Sequence, residues 1–162
     1  GDAEAVLRLY RRAAAAPGGL ARRPDEIDEA YVAAMLAKGQ GGGVCLGAWG
    51  PDGSLCGEIH AGRIGPAQFD HVLSDLTVAV DPDWQGRGIG ARLFAALFEA
   101  ARRLRPRVER VELMAREGNA GAVRLYQRLG FAIEGRMEGR VRLPDGTVEA
   151  DLCMGMSLPQ GD

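Results

Sequence analysis

The segment Gln85-Gly86-Arg87-Gly88-Ile89-Gly90 constrains this chain more than any other, because of what stands on either side of it. Upstream, Ser74-Asp75-Leu76-Thr77-Val78-Ala79-Val80 has the character of a strand, and Asp81-Pro82-Asp83 is a turn signal. Downstream, Leu93, Phe94, Leu97, Phe98, Ala101 and Leu104 fall on one stripe of a helix over 91–104. A glycine-rich turn from strand to helix aims several backbone N–H groups at one point, where the helix dipole adds partial positive charge. Such a turn suits a phosphate, and glycine lets the phosphate approach without meeting a Cβ. A strand-like run over 108–115 follows, so the three elements form a βαβ unit and the two strands are expected to be parallel.

Other phosphate folds fit less well. A P-loop needs Gly-Lys-Ser/Thr where this chain has Gly90-Ala91-Arg92. A dinucleotide fold wants its glycines after the first strand and an acid at the end of the next; Glu109 stands at the start of its strand instead. Glycines that serve only to turn the chain are the remaining alternative.

The rest of the chain is read in the same way. A first helix begins with Asp2 as N-cap and carries Val6, Leu9, Tyr10 and an alanine run to Ala16. A second, over 25–38, has Ile27, Tyr31, Ala34 and Met35 on one face and Gly39 as its C-terminal cap. A hairpin joins 44–49 to 54–63 through Gly50-Pro51-Asp52-Gly53, and the strand 71–80 follows. A short helix over 119–129 precedes a closing hairpin, 131–143 and 147–158, that turns at Pro144-Asp145-Gly146. This order predicts one domain over residues 1–162. Its class is α/β (α+β), with a mixed, mostly antiparallel central sheet and helices on both faces.

Composition narrows the function classes. With 46% hydrophobic and 26% charged residues in 162, the chain is an ordinary globular one. A net charge of −2 gives no basic footprint for nucleic acid. No apolar run approaches the roughly 20 residues of a membrane span and no signal peptide is visible, so no membrane partner and a cytoplasmic location are expected. Cys45, Cys56 and Cys153 lie in apolar runs without metal-ligand spacing, and they are expected to be small buried hydrophobes. No metal is expected, and a homodimer is compatible with the composition.

A second block sharpens the reading: Asn119-Ala120-Gly121-Ala122-Val123-Arg124-Leu125-Tyr126-Gln127-Arg128-Leu129-Gly130-Phe131. With Q-x-x-G-x-G at Gln85, Gly88 and Gly90, and N-x-x-A-x-x-L-Y-x-x-x-G-F from Asn119 to Phe131, the chain resembles the GNAT superfamily of acyl-CoA-dependent N-acetyltransferases. The likeness runs from the first helix to the last strand. The closing segment, Glu138-Gly139-Arg140 through Pro144-Asp145-Gly146 to Asp151, looks like bacterial members that acetylate free amino acids or similar small amines. Such proteins usually carry a short strand before the first helix; it is expected either to lie outside this sequence or to be missing.

The resemblance implies acetyl-CoA as co-substrate and assigns roles. Backbone amides of Gln85, Gly86, Arg87, Gly88, Ile89, Gly90 and Ala91 would cradle the pyrophosphate. The strand through Val78, Ala79 and Val80 would splay from its parallel neighbour and offer backbone groups to the pantetheine arm. The Val78 N–H would polarise the thioester oxygen. Asn119, a plausible N-cap, would also touch the pantetheine. Tyr126 would protonate the departing thiolate, which suits a phenol of pKa about 10 facing a thiol of about 8.5. Its spacing from Val123 and Leu129 equally fits a core tyrosine.

An α-ammonium, of pKa about 8, must lose a proton before it attacks. Asp75 is the candidate base, at a position where the family often has Glu; the shorter side chain favours a bridging water. An ordinary polar strand residue is the alternative, and His60 and His71 are lone-histidine substitutes. No Cys or Ser stands in a nucleophile motif, which favours direct transfer. Arg22, Arg23, Arg140 and Arg142 lie in loops that could recognise an acceptor carboxylate, or simply be solvated. The expected function is transfer of acetyl to a primary amine, a free amino acid or similar small molecule. A protein N-terminus or lysine is the second acceptor class, and a non-catalytic CoA-binding module is the reading from another class.

Overall fold

The stripe Val6, Leu9, Tyr10 and Ala13 is buried along α1 (Asp2–Ala15) in a computed structural model that describes residues 2–159. Among the described residues α1 begins at Asp2, which is helical rather than a cap, and with Glu4 it places acid where the dipole favours it. The next helix departs further from expectation. Pro24–Glu26 forms a single 3₁₀ turn, and α2 runs Glu29–Gln40. Asp28 caps it by accepting the Tyr31 N–H at 2.8 Å. Gly39 is not the C-terminal cap. Gly41 takes that place, while a Cβ on Gly39 would come within 2.9 Å of Cys45 Cβ, so Gly39 permits close packing of α2 on the first strand.

Six strands follow: β1 (Val44–Trp49), β2 (Leu55–Arg63), β3 (Val72–Val80), β4 (Arg110–Arg116), β5 (Ala132–Arg142) and β6 (Val148–Ser157). They form one sheet in the order β1-β2-β3-β4-β6-β5, antiparallel except between β3 and β4. The expected class, a mixed and mostly antiparallel sheet with helices on both faces, is the observed one. α3 (Ile89–Arg103) buries Leu93, Phe94, Leu97 and Ala101; α4 (Ala120–Leu129) adds Val123. They build one core with Ile59, Leu73, Val111 and Met154. α1 and α2 build a second core on the other face, over Leu55 and Ala79.

Two irregularities in β3 position the site. His60 pairs with Thr77, but Gly62 pairs with Ser74, so β3 bulges between them. Asp75 sits in the bulge at φ 51°, a left-handed conformation that Asp tolerates better than most residues. The bulge shifts the strand's phase, so that Leu73 and Leu76 enter the same core. On its other edge β3 pairs with β4 only at Val72↔Arg110 and Leu73↔Val111, and beyond Leu73 the two strands part.

Arg12 anchors α1 to the end of β3, donating to Asp81 at 2.7 and 3.1 Å, and Asp81 also accepts the Asp83 N–H at 2.9 Å. The Arg12 hydrogen bond holds the Asp81 carboxyl below its ordinary value. A carboxyl whose folded pKa is depressed stabilises the fold above its unfolded pKa, about 3.9, and loses that contribution as pH falls through the folded value. Asp81→Asn should therefore lower the urea midpoint at neutral pH and narrow its gap to wild type as the pH drops toward about 3. A gap independent of pH would show that the pair contributes nothing.

Candidate active site

The glycine turn opens onto the parted strands. Gly86 and Gly88 have φ of 74° and 78°, which glycine alone adopts without strain. No atom lies within 4 Å of a Cβ built on either, so this backbone faces open space. Gly88 caps α3, and the first intrahelical bond runs from the Arg92 N–H to the Gly88 carbonyl at 3.1 Å. The N–H groups of Ile89, Gly90 and Ala91 precede that bond and are the helix's orphan donors. Helix α3 thus starts at Ile89 rather than at Ala91 as expected, because Gly88 already supplies the left-handed cap. Gly90 has a different task from its neighbours. Its Cβ would stand 3.7 Å from Leu125 Cδ2, an ordinary contact, so it marks where α3 and α4 adjoin. Arg87 lies over the Trp84 ring at 4.7 Å, which keeps a cation beside the turn. The cradle fits a pyrophosphate: donors converge, glycines give clearance, and no carboxylate stands among residues 85–91.

Tyr126 is partly buried one residue from that junction, its ring 5.6 Å from Phe94 and 6.1 Å from Phe131. Burial pushes its phenol above the ordinary value. Its hydroxyl makes no hydrogen bond to the described residues, and since none of their buried side-chain oxygens lacks a partner, that hydroxyl is open to solvent. Asn119 caps α4 by accepting the Ala122 N–H at 3.4 Å and donates to the Gly18 carbonyl at 3.2 Å. Val78, Ala79 and Val80 lie in the part of β3 that has left β4.

On the α1–α2 face of β3 lies a cavity of about 410 Å³. Asp75, Thr77 and His60 form its sheet wall, while Arg22, Tyr31 and Lys38 close it from the helix side. The Arg22 guanidinium stacks on the Tyr31 ring at 4.6 Å. Asp75 is largely exposed and ion-paired with Lys38. His71 is exposed outside this cavity, and its carbonyl accepts the Glu109 and Arg110 N–H groups. The four arginines also separate. Arg22 faces the cavity; Arg23 lies beside Asp25 and Glu26, Arg140 is paired with Asp151 at 3.1 Å, and Arg142 is bonded to the Gly146 carbonyl.

Beneath the cavity is a cluster the motifs did not single out. Glu58 and His60 are each 1% exposed, and Tyr10 is fully buried beside them. Cys45 is half-buried and donates to Glu58 Oε1 at 3.2 Å, so it does more than fill space; Cys153 is half-buried and Cys56 buried as expected. The alternation Glu58-Ile59-His60 in a strand places both polar groups on one face, the signal that could have pointed here. Among the described residues no helix is long and apolar enough to cross a membrane.

Known proteins resemble this chain in sequence or in fold. The L-amino acid N-acetyltransferase AaaT of Escherichia coli strain K12 is 32% identical over 84 residues, 52% of this chain and 51% of that one. An L-methionine sulfoximine/L-methionine sulfone acetyltransferase of Pseudomonas aeruginosa is 41% identical over 87 residues, 52% of this chain and 48% of that one. The chain thus spans about half the length of these two, and 25% of a mycothiol acetyltransferase of Brachybacterium faecium that is 36% identical over 52% of this chain. Among solved structures, a phosphinothricin acetyltransferase of Sinorhizobium meliloti in complex with acetyl-CoA has the same fold, with a TM-score of 0.83 at 19% identity over 99% of this chain and 85% of that one. The family described as acetyltransferase (GNAT) matches residues 4–131. That match covers most of the chain and takes in the glycine turn, the parted strands and the α3–α4 pair, so this chain belongs to the GNAT acetyltransferase family.

Proposed function

We propose that this protein transfers acetyl from acetyl-CoA directly to a primary amine held in the cavity, a free amino acid or a similar small amine. The observation that carries the reading is the parting of β3 from β4 after Leu73, with the glycine turn near one end and the cavity against β3. Backbone amides from Gln85 to Ala91 then receive the pyrophosphate. Val78, Ala79 and Val80 complete their ladder with the pantetheine amides, with Asn119 alongside, and the Val78 N–H polarises the thioester oxygen. Tyr126 gives its proton to the leaving sulfur. Asp75 meets the ammonium in the cavity, where it and His60 are the acceptors for the proton that the amine must shed.

The acceptor class follows from charge. Arg22 and Lys38 both line the cavity, an arrangement that suits a carboxylate beside the reacting amine and disfavours a polyamine carrying several positive charges. Relatives named for L-amino acids and for methionine sulfoximine agree with that choice. The test is thiol release from acetyl-CoA with a panel of amino acids, their amides, polyamines and peptides. Amino acids should turn over fastest. Arg22→Met should lower kcat/KM for the acid about ten-fold, the lower end of a charged hydrogen bond's worth because Arg22 is exposed, and leave the amide unchanged. Equal use of acid and amide would remove the carboxylate from the reading. Tight acetyl-CoA binding with no amine-dependent thiol would make the chain a non-catalytic CoA-binding module.

A further inference from the structure

A buried carboxylate costs several kcal/mol unless hydrogen bonds offset its lost hydration, so Glu58 on the floor of this face calls for a reason. Glu58 Oε2 accepts the Tyr10 hydroxyl and stands 3.0 Å from His60 Nδ1. Oε1 accepts the Cys45 thiol, and the Tyr10 oxygen is itself 3.3 Å from Nδ1. Burial, and then the Glu58 charge, push the Tyr10 phenol well above its ordinary value and the Cys45 thiol up to about 12. Both therefore keep their protons and donate them to Glu58. Every atom that faces Nδ1 is then an acceptor, which places a proton on Nδ1, so that in the neutral ring the lone pair is on Nε2. Among the described residues no buried side-chain nitrogen or oxygen lacks a hydrogen-bond partner, and the hydrogen bonds of the His60 ring all run through Nδ1. Nε2 is thus the atom that His60 shows to the cavity it lines.

We propose that His60 takes the proton from the acceptor's ammonium in this cavity, and that Glu58 and Tyr10 are positioning residues that hold its Nδ1–H tautomer. The proposal rests on amine acetylation at this site. Asp75 is open to water and paired with Lys38. In this proposal it draws the ammonium in, and of the two acceptors in the cavity His60 is the one that carries the proton away. His60 pairs across the strands with Thr77, and Asp75, in the bulge two residues before Thr77, lines the same cavity, so an ammonium held by Asp75 shares the cavity to which Nε2 is shown. One ammonium proton passes to Nε2, and the nitrogen lone pair attacks the thioester carbon. As the C–N bond forms and the C–S bond breaks, the thiolate takes a proton from Tyr126, which recovers the second proton of the nitrogen. His60 returns its own to solvent. One amide, one free thiol and one proton result.

Charged and titratable groups reach His60 from each element around it: Tyr10 from α1, Tyr31 and Lys38 from α2, Cys45 from β1, Glu58 on its own strand and Asp75 from β3, with Arg22 in the preceding loop. The variants separate them. His60→Gln keeps a hydrogen-bonding side chain but cannot carry the proton away. It should lower kcat about 10²-fold or more and flatten the acid side of the kcat profile, with acetyl-CoA affinity unchanged. Asp75→Asn should raise KM for the amine and leave kcat and its profile in place. Glu58→Gln should displace the acid limb without changing acetyl-CoA affinity. Wild-type kcat and an unchanged profile in His60→Gln, while wild type releases thiol with an amine, would overturn the proposal alone; absence of any amine-dependent release would overturn the acetylation reading beneath it. A second measurement needs no activity. The chain has two histidines, so ¹⁵N-histidine NMR of the whole protein, assigned with His71→Gln, reads the His60 tautomer directly. An Nδ1–H ring supports the proposal, and an Nε2–H ring overturns it.

Discussion

Tyr126→Phe should lower kcat by about 10²- to 10⁴-fold and leave acetyl-CoA affinity within about two-fold of wild type, the usual worth of a general acid that acts only in the transition state. The ring's packing on Phe94 and Phe131 is preserved in phenylalanine, so the substitution isolates the hydroxyl. That hydroxyl has no partner among the described residues, and its removal strands no buried donor. A structural role would cost at most about 1 kcal/mol of stability, the worth of an average hydrogen bond, and nothing in kcat. The catalytic role costs roughly 3 to 5 kcal/mol of barrier at 1.36 kcal/mol per decade. Burial raises the phenol's pKa, which weakens it as an acid but keeps it protonated until it is needed. The same burial makes an unsolvated thiolate a stronger base, so donor and acceptor shift together. Steady-state thiol release beside calorimetric titration of acetyl-CoA decides the matter. A variant with wild-type kcat would return Tyr126 to the aromatic core.

Local features of this chain were legible in its sequence wherever one element supplies both the signal and its consequence. The α3 stripe of Leu93, Phe94, Leu97 and Ala101 is buried as its spacing predicts, and Asn119 caps α4. The two hairpins turn where glycine and proline stand. Errors arose where two local signals compete or a facing element decides. Asp25 looked like a helix start, but the turn at Pro24–Glu26 and the extended backbone of Asp28 moved it to Glu29. Gly39 looked like a cap, yet it is fixed by Cys45 on the facing strand.

The site divides in the same way. The glycine turn and its flanking elements announce themselves, while the parting of β3 from β4 came only with the family resemblance, since no side chain encodes it. The bulge at Asp75 depends on a register shift against β2 that no local pattern in β3 reveals. Least legible was the Tyr10–Glu58–His60 cluster. Tyr10 reads as one more apolar residue of α1, and Glu58 lies 48 positions away from it. Their meeting is a property of α1 packing across the sheet, and the polar alternation of β2 is its sole sequence trace.

The glycine turn yields the second large effect: Gly88→Glu should weaken acetyl-CoA binding by about 10²- to 10³-fold while the protein still unfolds cooperatively. Two effects add. A carboxylate about 4 Å from a phosphate charge is repelled by roughly 1 kcal/mol in bulk water and roughly 4 kcal/mol at an effective dielectric constant of 20, and the exposed turn lies between those limits. The side chain also occupies space that is open at Gly88, pushing a pyrophosphate away from the amides of Ile89, Gly90 and Ala91. Against these stands a backbone cost. At φ 78° a residue with a Cβ is strained by about 1 kcal/mol, which lowers stability but not affinity for a turn that keeps its shape. Gly88→Asn, a residue tolerant of this conformation, separates the terms: it should bind acetyl-CoA far better than Gly88→Glu at similar stability. Added salt should recover part of the loss in Gly88→Glu, because charge repulsion at an exposed site is screened and steric exclusion is not. Calorimetry that found acetyl-CoA affinity unchanged in Gly88→Glu would take the pyrophosphate away from this turn, and with it the alignment of the thioester on β3.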